Sequence, residues 1–131
     1  MAYWILKTEP ETYSWDDLVK AKRARWDGVR NFAAAKNLRA MKVGDEALIY
    51  HSGDDKAAVG MAKVIKAAYP DPTAKEGNWV AVDLVPVQPL KTPVTLAEMK
   101  ADSVLKDMTM VRQGRLSVSP VTEAEWKRLM S

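Results

Sequence analysis

The sequence predicts an α+β fold, a mixed and mainly antiparallel β-barrel with short flanking helices. Three observations carry that expectation. Two β-prone stretches, 46–52 and 57–69, are joined by the tight polar connection "SGDDK", the mark of a hairpin. A third, 78–90, alternates apolar and polar residues, as a strand with one covered face does. The helical segments are short, and too few serve as crossovers for a doubly wound sheet.

The elements follow in chain order. "YWILK" (3–7) is apolar and β-prone and reads as a buried first strand, stopped by "EP". Ser14 with Asp17 three residues on resembles a capping box and opens the helix "SWDDLVKAKR". "WDG" makes a turn, and Asn31 caps the helix "FAAAKNLRAM". "KVGD" leads into the hairpin, and "YPDPT" breaks the chain after it. In the third long strand, Pro86 and Pro89 confine the strand end to a sheet edge, because proline cannot donate to a ladder. Thr95 with Glu98 caps "LAEMKAD", "RLSVSPV" is a short last strand, and Thr122 with Glu125 caps the closing helix "EAEWKRLM".

At 131 residues the chain is expected to form one domain, 1–131, without repeats or linkers. The absence of cysteine excludes disulfides and thiolate metal sites. A single histidine, His51, excludes a histidine-based metal cluster and leaves one possible base for a Ser-His-Asp triad. No G-x-S-x-G elbow or phosphate-cradling glycine loop is present. The first ten residues hold at most six consecutive apolar positions, Met1 to Leu6, too few for a signal peptide, and nothing approaches a membrane span. A cytoplasmic protein is expected.

The net charge of +3 is unevenly spread. Between Lys20 and Lys42 stand eight basic residues against one acid, Asp27, so that window carries +7 and the rest of the chain −4. Such a surface suits a polyanion, although a solvated pair of helices would look the same. Lys22, Arg23, Arg25, Lys36 and Arg39 are its candidate phosphate contacts.

Three local features bear on chemistry. "KTEP" (7–10) could supply a base, a nucleophile and an orienting acid, but alternation in a strand sends Lys7 and Glu9 to one face and Thr8 to the other. It reads more simply as a strand end closed by Pro10. His51, in "IYHSG", is either a hydrogen-bonded strand-end histidine or a polar group facing a pocket. Of the five tryptophans, Trp4, Trp79 and Trp126 occupy apolar-periodic positions and are expected in the core. Trp26 lies instead in the basic loop "RWDGVRN" (25–31), and an aromatic face beside Arg and Asn donors is what a planar base needs. Such a wall is expected to be partly exposed. Gly28 allows close backbone approach, while Arg30 and Asn31 either bond the base or tie the loop down.

Taken in order, "YWILKTEP", "YSWDDL", "WDGVRN", "LRAMKVGD", "IYHS", "YPDPT" and "RLSVSPV" resemble the EVE domain of the PUA-like superfamily across nearly the whole chain. The resemblance implies a PUA-like β-barrel and binding rather than catalysis, because related readers flip a modified base into an aromatic-walled pocket. It implies a modified cytosine in DNA as the ligand, with no cofactor and no metal. The implied partner is nucleic acid carrying a modified base, or a free modified nucleoside, met by a monomer away from membranes. Carried over by motif, the pocket draws on Lys7, Thr8, Trp26, Val29, Arg30, Asn31, Tyr50, His51 and Ser52, closed by Arg115, Leu116 and Ser117. Two departures stand out: Ala35 and Lys36 replace an Arg and an Asn of many members, and "AKEGNW" after "YPDPT" is short. The alternative, by analogy with PUA-like ASCH domains, is a small hydrolase of modified nucleosides.

Overall fold

The computed structural model describes residues 1–131. Strands are β1 (Tyr3–Thr8), β2 (Ala24–Trp26), β3 (Glu46–His51), β4 (Ala57–Pro70), β5 (Val80–Thr95) and β6 (Val118–Val121). Helices are α1 (Trp15–Ala21), α2 (Phe32–Ala40), α3 (Leu96–Ala101), α4 (Thr109–Arg112) and α5 (Glu123–Leu129), with a 3-10 turn at Leu105–Asp107.

The strands form one sheet in the order β2-β5-β4-β3-β1-β6. Only β1 and β3 run parallel; every other pairing is antiparallel. The expected mixed, mainly antiparallel α+β architecture is therefore present, but the expected barrel needs correction. Strands β2 and β6 stand at opposite ends of the order and do not pair, so the sheet stays open. The register slips at four places between β4 and β5, and such bulges bend a strand and strengthen its twist without closing the sheet.

Local chemistry sets the helix starts. Ser14, Thr95 and Thr122 each accept a hydrogen bond from the backbone three residues on, and Asp17, Glu98 and Glu125 reach back to complete the box. Asn31 accepts from the Ala34 N–H at 2.9 Å and caps α2. Strand β5 runs to Thr95, well past the expected end. Strand β2 covers only Val82 to Leu84 of it, so Pro86, Pro89 and Pro93 fall where that side of β5 is free. Strand β2 itself was hidden because three residues carry no periodicity of their own.

Two apolar clusters pack on the sheet. One gathers Trp4, Leu6, Trp15, Leu18, Trp26, Leu38 and Ile49; the other gathers Ile5, Leu48, Tyr50, Met99, Met108 and Trp126. Trp15 lies so close over Gly60 that a Cβ there would come within 2.3 Å of the indole. Trp4 and Trp126 are core residues as expected. Trp79 is not: it precedes β5, is half-buried, and stacks on exposed Phe32. Trp26, expected to be partly exposed, is only 9% exposed. No helix is long and apolar enough to cross a membrane.

Candidate functional site

Where β1 ends, the chain between α1 and α2 borders an open cavity of about 610 Å³. Lys7 and Thr8 come from the end of β1, Thr12 and Tyr13 from the turn after it, and Ser117 from just before β6. The continuous segment from Arg23 to Arg30 supplies the remaining wall. Strand β2 positions that segment: Arg25 opposite Asp83 and Trp26 opposite Val82. Tyr13 meets the Trp26 ring edge-on at 6.1 Å between centroids, one of the favoured aromatic geometries.

A buried carboxylate holds the loop. Asp71, whose side chain is wholly inaccessible, accepts from the Gly28 N–H at 2.8 Å and from Arg30 Nη1 at 3.0 Å. Its other oxygen accepts from the Thr73 N–H at 2.7 Å and the Thr73 hydroxyl at 2.6 Å. Burial alone would raise the Asp71 pKa, but the bonds from Thr73, Gly28 and Arg30 outweigh it and hold the carboxyl well below the usual carboxylate range. Gly28 has φ +76°, a left-handed conformation that glycine adopts without steric cost. The loop thus presents a fixed shape to the cavity.

A second carboxylate braces the other side. Asp83 accepts from Arg23 at 2.7 Å and from the Tyr69 hydroxyl. Burial and then that bond to Asp83 push the Tyr69 pKa up to about 12. Asp83 itself is lowered, its Tyr69 and Arg23 bonds overcoming burial. Arg25 pairs with Asp27 at 2.7 Å. Burial lowers the Lys7 pKa, and its ammonium donates to the Gly114 carbonyl at 2.7 Å.

The residues expected at the site divide into groups. Lys7, Thr8, Trp26, Val29, Arg30 and Ser117 line the cavity, joined by Arg23 and Arg25 from the basic set. Tyr50 and Ser52 line a neighbouring hollow of about 240 Å³, which Lys7 also borders. His51 is the strand-end histidine: its Nε2 accepts from the Trp15 N–H at 3.0 Å and its Nδ1 faces Asp55 at 3.1 Å. Asn31 spends its side-chain oxygen on the helix cap. Leu116 is buried in the first apolar cluster, and exposed Arg115 lies outside the cavity lining. Lys22 is the C-cap of α1, in a left-handed conformation. Lys36 and Arg39 are exposed on α2, outside the cavity. The Thr8 hydroxyl donates to the Tyr13 carbonyl at 2.7 Å, and Glu9 does not reach the cavity wall.

Thr12, Tyr13, Ala24 and Asp27 also line the cavity without having been picked out as site residues, and Gly28, read as a point of close backbone approach, lines it too. Asp71 could have been suspected, because a Pro-flanked Asp two residues before a Thr is an Asx-turn signal. Its destination, 43 residues from Gly28, carries no local mark.

A family model for the EVE domain matches residues 2–131. The chain belongs to the EVE domain family. A protein of Rhodopseudomonas palustris solved by NMR is similar at 48% identity and TM-score 0.93, covering 99% of this chain and 91% of that one. Thymocyte nuclear protein 1 of rat is 36% identical over 163 aligned positions, covering 98% of this chain and 72% of the relative. That span exceeds this chain's 131 residues, so the relative carries extra residues within the matched region. The human protein, crystallised in complex with DNA containing 5-methylcytosine, is similar at 34% identity and TM-score 0.90, covering 99% and 96%. An ASCH protein of Zymomonas mobilis, 13% identical at TM-score 0.61, shares the fold.

Proposed function

We propose that this EVE domain is a non-enzymatic, monomeric binding module of one domain that recognises a modified base, a modified cytosine in DNA, in the Trp26 cavity. The observation that carries this reading is the cavity itself. An aromatic wall, three arginines and a lysine converge on one space, and the loop forming most of it is clamped by buried Asp71. A planar base would gain stacking from Trp26. The Ser117 hydroxyl, engaged in no other hydrogen bond, and the Arg30 and Lys7 donors would meet its polar edge. Arg23 and Arg25 at the cavity, with Lys22, Lys36 and Arg39 beyond it, would face the phosphate backbone. The complex of the human relative with 5-methylcytosine-containing DNA supports the choice of ligand. A cytoplasmic location belongs to the same proposal.

The experiment is a binding titration with matched oligonucleotides carrying cytosine or 5-methylcytosine, across a salt series. Tighter binding of the methylated strand is expected. Contact with about four phosphates gives a log–log salt slope of roughly −3 to −4. Equal affinity for the two strands would refute modified-base recognition. After prolonged incubation the modified nucleoside should be recovered intact; its hydrolysis, abolished by Lys7→Ala or Thr8→Ala, would turn the assignment toward a nucleoside hydrolase.

A further inference from the structure

Outside the cavity, one side chain stands where its chemistry is poorly served. Phe32, the chain's one phenylalanine, is 83% exposed at the first position of α2. An aromatic ring left in water forgoes the stabilisation that burial gives. Phe32 is nevertheless held in place. It stacks on Trp79, with centroids 5.1 Å apart and planes inclined by 23°. The Trp79 indole rests against Gly77, where a Cβ would come within 2.9 Å of Nε1. The Arg30 guanidinium sits 5.7 Å from the centre of the same indole. Arg39 donates to the Asn78 carbonyl and ties this segment to α2.

The helix that carries the ring holds charge of one sign. Lys36 and Arg39, four and seven residues after Phe32, share its helix face and are both exposed. Helix α2 contains no acidic residue. Arg30 joins this platform to the cavity, since it lines the one and contacts the indole of the other. Phe32 lies two residues further on, at most about 7 Å of backbone away.

We propose that Phe32 is a stacking wedge for duplex DNA, inserting against the base pair next to the nucleotide held in the cavity while Lys36 and Arg39 meet the flanking phosphates. This rests on the reading that the cavity takes a base. Extruding a base leaves a gap in the duplex, and an aromatic side chain filling it restores part of the lost stacking. A free nucleoside has no such gap and gains nothing from Phe32.

The test compares the parent chain with Phe32→Ala and Phe32→Tyr on free 5-methyl-2′-deoxycytidine and on duplexes with one central 5-methylcytosine or cytosine. Thermal midpoints establish that each variant is folded. Phe32→Ala is expected to weaken duplex binding by about 5- to 150-fold, the range for losing one base–aromatic stack, with nucleoside affinity unchanged and Phe32→Tyr near the parent. Unchanged duplex affinity in Phe32→Ala, while the parent binds the nucleoside, would overturn the wedge and leave the cavity reading standing. Equal losses on nucleoside and duplex would also overturn it. So would a parent dimer, seen by sedimentation, that Phe32→Ala dissolves without loss of DNA affinity. Failure of the parent to bind the nucleoside or prefer the methylated duplex would overturn the cavity reading and the wedge with it.

Discussion

Trp26 stands within the loop 25–31 and Trp79 packs near its Arg30, and their environments are the reverse of what their sequence contexts suggest. Trp26, flanked by charge in "RWDGVRN", is 9% exposed and packs with the larger apolar cluster, while part of it still borders the cavity. Trp79, at the start of an apolar-periodic stretch, is half-buried against Phe32. Neighbouring residues in sequence report the company a side chain keeps only when a regular element repeats that company. Trp26 sits on a three-residue strand and Trp79 just outside a long one. In both places pairing with distant chain, not local period, decides burial.

The largest effect is expected at Trp26. Truncation of a tryptophan packed in a core costs about 3–5 kcal/mol, so Trp26→Ala should lower the thermal midpoint by about 10–20 °C. Affinity for the modified base, measured below that midpoint, should fall as well, because the same ring borders the cavity. A stable Trp26→Ala protein would mean that the indole is wall alone.

Asp71 comes next. Asp71→Ala leaves the Gly28 and Thr73 N–H groups without their acceptor and should cost about 3 kcal/mol, with a matching loss of base affinity as the loop loosens. The Asp71 pKa is lowered in the folded state, so its contribution is present above the unfolded carboxylate value of about 4 and is lost as pH falls through the folded value. Asp45 and Asp83 are shifted the same way. Stability should therefore decline on acidification below about pH 4, and Asp71→Asn should flatten that decline. An unchanged acid profile in Asp71→Asn, followed by thermal melts, would contradict the clamp.

The smallest change in stability is expected at Trp79. Trp79→Ala should cost about 1 kcal/mol, because the ring is already half in water. Nucleoside affinity should stay close to that of the parent chain, while duplex affinity falls with the loss of the platform under Phe32. A midpoint drop as large as that of Trp26→Ala would erase the contrast between the two regions.

Much of the fold was legible because it rests on short-range chemistry. Ser14, Asn31, Thr95 and Thr122 each need only a backbone N–H within the next turn, so their helix starts could be read from adjacent residues. The hairpin of β3 and β4 was equally local. The site was only half legible for the converse reason. Lys7, Thr8, Trp26, Val29, Arg30 and Ser117 gather at one cavity, but Tyr50 and Ser52 border its neighbour, Asn31 is spent on its helix cap, and His51 on the Trp15 N–H, 36 residues away in the chain.

By itself, then, the sequence determined the family, the α+β class, the helix caps and a basic segment carrying a tryptophan between two helices. Each follows from residue types acting over a few positions, or from motifs in a fixed order. Tertiary structure decided that the sheet stays open, that β2 exists, which tryptophan is buried, and that Asp71 clamps a loop 43 residues away. Those outcomes depend on which strands pair and how a buried carboxylate is satisfied. Both join residues far apart in the chain, where no local pattern records the partner.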